Sequence, residues 1–288
     1  FTANPNNQPD SCAGAGTAFA PNEVNTVDPD YRFPQIFRAS AALDRETGYF
    51  GTVATLEGLY TKTLQDIRYQ NLLIARNDNL EMREGRAQYT RTFLQAESGE
   101  IPVGDVIDIS NTSEGYAWSL TAQLQRPVRE GWGFSTAYTF SDAFDVNRGG
   151  SSQAISNWRF NPNAGDPNNL PAARSNFVIR HRVLASATRE LSLVDRFPTL
   201  VSLIWVGESG QRYTFVYAGD ANGDGQVEND LIWVPASQGE VRFLENGSGA
   251  VTNQPALSAA QSWENLNRFI ERTPCLREAR GRIIDRGA

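Results

Sequence analysis

The chain has 288 residues, of which 40% are hydrophobic and 20% charged, and this composition predicts a folded protein rather than a disordered one. Its formal net charge of −7 argues against general nucleic-acid binding, which needs a basic surface to neutralise phosphates. Two cysteines and one histidine nearly exclude a zinc site built on these residues. The sequence has no run of about 18 apolar residues and so no transmembrane helix, but a membrane β-strand needs only about 10 alternating residues.

The first predicted hairpin covers residues 37–61 and turns at residues 45–48. Both strands alternate side chains with a period of two, which is typical of a strand between an apolar and a polar phase. One face carries Phe37, Ala39, Ala41 and Leu43 in the first strand, and Phe50, Thr52, Ala54, Leu56, Gly58 and Tyr60 in the second. A long polar segment, residues 62–112, follows this hairpin.

Two more hairpins are predicted at residues 115–141 and 179–207, and residues 142–176 separate them. In the first of these, one face carries Tyr116, Trp118, Leu120, Ala122 and Leu124, and the other carries Ala117, Ser119, Thr121, Gln123 and Gln125. In the second, Arg180, Arg182, Ser186 and Thr188 share one face of the first strand, and Val201, Leu203 and Trp205 share one face of the second. A long polar region then begins at residue 208.

Short turns on one side and long polar loops on the other are typical of an outer-membrane β-barrel. Charged residues also fall on the predicted polar faces, where a water-filled or plugged lumen tolerates them and a packed core does not. These residues are Arg38, Asp44, Glu57, Arg180 and Arg182. Aromatic residues lie near the strand ends, as expected for the aromatic girdles at the two lipid–water interfaces of a membrane barrel. The alternative is a soluble β-sandwich whose polar face is solvated.

Residues 220–231 resemble the start of an EF-type calcium loop, with oxygen ligands at positions 1, 3 and 5 and Gly225 at position 6. The expected ligands are Asp220, Asn222, Asp224, Gln226, Glu228 and Asp230. Position 12 is Leu231 rather than glutamate, so Glu228 or Asp230 has to complete the coordination shell of the ion. We expect a structural Ca²⁺ that stiffens an extracellular loop. The alternative is a turn-rich loop whose Asp and Asn side chains cap their own backbone.

An amphipathic helix is predicted at residues 258–273, and Pro274 ends it. Its apolar face carries Trp263, Leu266, Phe269 and Ile270. We expect this face to pack on neighbouring loops; a helix that docks a partner is the alternative.

Cys12 and Cys275 both fall on the side of the long loops. That side is extracellular and oxidising in a barrel of this kind, which permits a disulfide between them. Two unrelated cysteines are the alternative.

Several segments resemble the barrel of Oar-like TonB-dependent outer-membrane receptors, and they occur in the expected order from about residue 24 to the end. They are residues 27–38, 58–63, 69–71, 180–183, 207–213, 219–225, 229–235, 280–281 and 285–286. The most specific is GDANGDG at residues 219–225 with NDLIWVP at residues 229–235. Asp285 departs from the usual acidic spacing.

The resemblance implies an antiparallel transmembrane barrel of about 22 strands, an internal plug domain and energy delivered through TonB. The whole chain, residues 1–288, is then part of the barrel without plug or final strands, and residues 208–280 form a long extracellular loop. We expect active import of a scarce large solute across the bacterial outer membrane, with no catalytic residues. The expected partners are outer-membrane lipid, the TonB complex and an unknown solute. A calcium-stiffened extracellular binding module and a passive porin are the alternatives.

Overall fold

The computed structural model describes residues 22–81, 84–91, 103–194, 197–243 and 257–287. The strands are β1 (Asn22–Val27), β2 (Gln35–Glu46), β3 (Val53–Asn71), β4 (Ile74–Glu81), β5 (Ala87–Arg91), β6 (Val103–Thr112), β7 (Tyr116–Arg129), β8 (Trp132–Asp145), β9 (Ala173–Arg174), β10 (His181–Val194), β11 (Phe197–Glu208), β12 (Trp233–Val234) and β13 (Arg282–Ile283). The helices are α1 (Ala154–Arg159), α2 (Ala259–Arg272) and α3 (Pro274–Glu278). Within the described ranges, none of the helices has the length and apolar character needed to cross a membrane.

All three predicted hairpins are confirmed, as the pairs β2–β3, β7–β8 and β10–β11. They lie side by side in one antiparallel sheet because β3 also pairs with β7 and β8 with β10. The described strands leave this sheet open. The turn between β7 and β8 has positive φ angles at Glu130 (56°) and Gly131 (77°), as a type I′ turn requires.

The strands of the sheet continue well past the length of a bilayer span. β3 has 19 residues, or about 63 Å at 3.3 Å per residue. It pairs with β7 up to Lys62 and then with β6 from Asp66 onward. β6 and β7 therefore lie end to end along β3, interrupted at residues 113–115, where the Lys62 Nζ donates to the Ser113 and Gly115 carbonyl oxygens at 2.8 and 3.2 Å.

The strand register separates two faces of the sheet, which we call the apolar face and the polar face. One cross-strand row consists of Leu43, Leu56, Ala122, Tyr138 and Val183. The row one residue further along consists of Ala42, Glu57, Thr121, Thr139 and Arg182. The alternation predicted from the sequence is thus confirmed across five strands. On the polar face, the hydroxyls of Thr121 and Thr139 lie 2.9 Å apart in a hydrogen bond.

Aromatic side chains gather at both ends of the apolar face. The ring pairs are Tyr116 with Phe144 (4.8 Å) and Trp118 with Phe140 (5.1 Å) at the end that leads to the long loops, and Trp132 with Phe134 (6.1 Å) at the short-turn end. The lone His181 belongs to the first group, where its ring stacks on Phe140 and its Nδ1 lies 2.7 Å from the Tyr138 hydroxyl oxygen. These contacts account for His181 as a packing residue.

The long segments contain structure that the sequence did not predict. β1 pairs in parallel with β6, and β4 pairs with β5 in a separate hairpin. The described parts of these segments also form two small apolar cores. The first comprises Leu231, Val234, Ile270, Leu276, Ala279 and Ile284, and the second comprises Ile107, Ile155 and Trp158.

Helix α2 is confirmed at the position predicted. Ser258 and Gln261 form a capping box at its start, because each side chain accepts a hydrogen bond from the other residue's backbone N–H. Pro274 is the first residue of α3 and cannot continue α2. Ile270 is 1% exposed in the first core, and Phe269 meets the ring of Phe215 edge-on at 6.0 Å. The helix packs on neighbouring loops, as expected.

Candidate functional site

The long segments fold together at one end of the sheet, and we call this assembly the loop layer. It comprises the described parts of residues 72–115, 146–180 and 209–287. All six expected calcium ligands lie in it. Backbone hydrogen bonds join its parts: Tyr89 N–H donates to the Asn222 carbonyl (2.7 Å), and Asn163 N–H donates to the Asn229 carbonyl (2.8 Å).

The acidic loop at residues 220–230 is built from successive turns. The Asp220 carboxylate accepts hydrogen bonds from the backbone N–H groups of Gly223 (2.7 Å) and Gly225 (2.9 Å). Both glycines have left-handed φ angles, +77° and +82°, which explains why glycine occupies these positions. A Cβ on Gly223 would also lie 2.6 Å from the Tyr89 carbonyl oxygen.

The same loop directs its amide and carboxylate side chains inward. Asn222 Oδ1 accepts from the Asp224 N–H (2.9 Å), and Asp224 Oδ1 accepts from the Gln226 N–H (2.8 Å). Asn222, Asp224, Gln226 and Asp230 are all buried. Asp220 and Glu228 are exposed. The structure therefore brings four of the six expected ligands together inside the loop and leaves two at its surface.

The two buried carboxylates differ in their partners. Among the described residues, Asp224 accepts hydrogen bonds from neutral donors, the Gln226 N–H and the Nδ2 atoms of Asn222 and Asn229. Burial raises the pKa of Asp224 to about 6 in spite of these bonds. Asp230 lies 3.2 Å from Nη1 of Arg86, and both side chains are fully buried. Burial also raises the pKa of Asp230, while the positive charge of Arg86 opposes that rise.

One polar atom near Asp224 has no partner in the described part of the chain. Within the described residues, the buried Oδ1 of Asn229 has no hydrogen-bond partner, and the same amide donates to Asp224 Oδ2 at 2.9 Å. An unpaired amide oxygen next to a carboxylate without a cationic partner suits an oxygen-seeking ion. However, no three Asp, Glu, His or Cys side chains of the described segments form a metal-binding group. A cation there would depend on amide and carbonyl oxygens as well, and calcium binding stays a prediction.

Arginines tie the loop layer together, a role that the sequence did not reveal. Arg86 donates to the Leu231 carbonyl as well as to Asp230. Arg286 donates to Asn161 Oδ1 and the Val146 carbonyl, each at 2.7 Å. The resemblance drew attention to residues 285–286 but gave them no contacts. For Arg86, nothing in the neighbouring sequence indicates that its side chain is buried.

Cys275 is half-buried at the second position of α3, packed against the first core. Cys12 lies outside the described residues. The disulfide between them therefore stays a prediction.

Two of the cavities in the described part of the loop layer differ in the chemistry of their lining. The larger, about 610 Å³, lies between residues 162–174 and residues 283–286. The smaller, about 340 Å³, is lined by polar side chains that include Arg148 and Arg212. The larger cavity has a more apolar lining, with Leu170, Ile284 and Phe144 among its residues. The loop layer thus offers two recesses of different chemical character.

Comparison with known proteins places the chain in a family. The family model described as "Outer membrane beta barrel domain" matches residues 1–275. No curated protein and no solved structure gives a significant match. The match covers the sheet and most of the loop layer.

Proposed function

Because the chain belongs to the outer membrane β-barrel domain family, we propose that it forms part of a transporter that imports a large solute with energy delivered through TonB. The protein resides in the bacterial outer membrane. In that setting the apolar face contacts lipid and the polar face lines the lumen. The proposed process moves a solute and makes or breaks none of its covalent bonds.

The distribution of charge on the polar face supports a lumen. Glu57 and Arg182 share one cross-strand row there, and Arg182 pairs with Glu208 at 3.1 Å. Charged side chains of this kind are costly against lipid but are solvated in an aqueous or plugged bore. By the usual asymmetry of these barrels, the short turns face the periplasm and the loop layer faces outward.

The observation that carries the TonB-dependent assignment is the position of the residues behind the Oar-like resemblance. These residues are not in separate loops, because their side chains form hydrogen bonds within the loop layer. They belong to the segments 219–225, 229–235, 280–281 and 285–286. Asp230 binds Arg86, Arg280 donates to the Pro235 carbonyl (2.9 Å), and Arg286 binds Asn161. A folded outer layer can hold a large solute over the lumen, which a passive porin does not need.

Conductance and TonB contact test this proposal. The native protein, purified from outer membranes and placed in planar bilayers, should conduct no ions in the absence of TonB, because a plug closes the lumen. In cells, a photo-cross-linker placed in TonB should capture the protein. Spontaneous conductance together with no TonB cross-link would instead establish a passive porin.

We also propose that the loop at residues 220–230 binds one structural Ca²⁺ through Asp224, Asn229 and neighbouring oxygens. The support is the pair of unbalanced groups described above, the uncompensated Asp224 carboxylate and the unpaired Asn229 oxygen. The ion would stiffen the loop layer and take no part in chemistry.

A further inference from the structure

The smaller cavity of the loop layer combines charge, hydrogen-bonding groups and aromatic rings. Its volume is about 340 Å³, and it lies between the chain that leaves β8 and the chain that follows β11. Two arginines, Arg148 and Arg212, line it together with Asn157. Phe160 and Phe177 also line it and are 47% and 68% exposed, so their rings are available to a ligand.

The positive charge around Arg212 exceeds the negative charge near it. Within the described residues, Arg212 forms no ion pair or hydrogen bond. Burial and then the neighbouring charges of Arg174 and Arg180 lower the pKa of Arg212, and Asp142 only partly offsets them. Asp142 is itself engaged, since its two oxygens accept from the Arg174 Nε at 3.0 and 3.1 Å. The Asp142 carboxylate is thus the one carboxylate among the charges of the described segments that act on Arg212, and it is bound to Arg174.

The second arginine of the cavity, Arg148, contacts neutral groups. Arg148 Nη1 donates to the Phe160 carbonyl oxygen at 3.3 Å. Its Nε and Nη2 face the side-chain oxygen of Asn176 at 2.9 and 3.0 Å when that amide is oriented oxygen-inward. Neither acceptor neutralises the guanidinium. Guanidinium groups that face a cavity without carboxylate partners are suited to bind carboxylate or phosphate groups from solution.

We propose that this cavity is the outer binding subsite for an anionic solute, which Arg148 and Arg212 recognise through a carboxylate or phosphate group. Gln211, an exposed polar residue of the lining, would bind a hydroxyl of the same solute, and the two phenylalanine rings would cover its apolar part. This inference rests on the proposed transport function for its biological meaning, although binding itself does not require transport.

A second cavity adjoins this one at Phe177. Phe177 lines this second cavity of about 330 Å³ on the polar face, together with Thr139, Ser141 and Arg182. Residues 175–179, which interrupt the pairing of β9 and β10 with β8, form the wall between the two.

Isothermal titration of the native protein, purified from outer membranes in non-ionic detergent at low ionic strength, tests the proposal. The probes are citrate, inorganic phosphate and, as a neutral control, glucose. We expect at least one anion to bind and glucose not to bind. The double variant Arg148→Gln/Arg212→Gln should weaken anion binding about tenfold or more, since charge-assisted hydrogen bonds are lost. Arg268→Gln, which removes an exposed charge paired with Glu264 on α2, should leave binding unchanged.

Each outcome of this titration decides something. Binding of citrate alone identifies a carboxylate site, and binding of phosphate alone identifies a phosphate site. If neither anion binds, or if the double variant binds as the native protein does, the proposal is overturned. The single variant Arg148→Gln changes an exposed residue and serves if the double variant fails to fold. Because TonB is absent from the assay, loss of the transport proposal would not alter its result.

Discussion

A charge placed on the apolar face should destabilise the protein far more than the same charge placed one residue away. We take Leu120→Arg as the perturbation and Thr121→Arg as its matched control. Leu120 pairs with Gly58 and Phe140 on the apolar face and is 48% exposed. Thr121 pairs with Glu57 on the polar face, where an arginine would gain an opposite charge.

The depth of Leu120 follows from its position in β7. The apolar stretch of this strand runs from Tyr116, in the loop-end aromatic group, to Arg126, which covers the Trp132 ring at 3.7 Å. The ten residue-to-residue steps from Tyr116 to Arg126, at about 3.3 Å each and tilted by about 45°, span roughly 23 Å, close to the apolar band of an outer-membrane barrel. Leu120 then lies about 9 Å below the loop-end boundary, near the middle of the band. Arginine at such a depth costs about 2–4 kcal/mol.

Equilibrium unfolding in guanidinium chloride measures this cost, with the native protein reconstituted in lipid vesicles and tryptophan fluorescence as the signal. We expect Leu120→Arg to lose about 3 kcal/mol and Thr121→Arg less than about 1 kcal/mol. That difference of about 2 kcal/mol corresponds to roughly a thirtyfold change in the unfolding equilibrium. Equal losses for the two variants, or a larger loss for Thr121→Arg, would contradict the assignment of the faces.

Three further predictions concern the loop layer. Arg86→Met should lower the local stability by about 3–5 kcal/mol, because it leaves the Asp230 carboxylate buried without its cationic partner, and the double variant Arg86→Met/Asp230→Asn should recover most of this loss. Hydrogen exchange of the Leu231 amide measures both effects. Unchanged protection of that amide in Arg86→Met would refute the prediction. The pKa of Asp224 is about 6 in the folded protein against an ordinary value of 3.8, so the folded state binds this proton more tightly. Without added cation, local stability should therefore rise by up to about 3 kcal/mol as pH falls from 7 toward 4. Asp224→Asn should remove this contribution to the pH dependence of exchange and leave the smaller one of Asp230, whose pKa is also raised by burial but is opposed by Arg86. Terbium should bind the loop with luminescence sensitised by Tyr89, calcium should displace it, and Asp224→Asn should abolish the signal whereas Asp78→Asn should not.

The six main strands could be predicted because their signal is local. A membrane sheet exposes each strand to lipid on one side and to an aqueous bore on the other. Apolar and polar side chains therefore alternate along a strand such as residues 116–125, whichever strands lie beside it. Helix α2 was predictable for the same reason, since its period and its boundary residues Ser258 and Pro274 lie within the segment.

The loop layer could not be predicted because its contacts are distant in sequence and have no period. Arg86 and Asp230 are 144 positions apart, and Arg286 and Val146 are 140 apart. The parallel pairing of β1 with β6 likewise joins residues about 80 positions apart. The turn geometry around Gly223 and Gly225 could be recognised from the sequence. The burial of Asp224 could not, because it depends on segments that are distant in the sequence and pack over this loop.

The loop layer has small apolar cores, and its order therefore depends on arginine to an unusual degree. Lys62 is the only lysine in the sequence, against 25 arginines, since lysine and arginine together number 26. A guanidinium presents five donors in a planar fork, so that one side chain can satisfy several acceptors that would otherwise be buried unpaired. Arg286 does this for the Val146 carbonyl and Asn161, and Arg280 does it for the Pro235 carbonyl. Arg286 also binds the partly buried Asp145, and Arg280 also binds the exposed Glu271. A lysine at either position would keep the charge but could not reach all of these acceptors with its single nitrogen. Multidentate polar contacts thus hold the loop layer together where hydrophobic burial is limited.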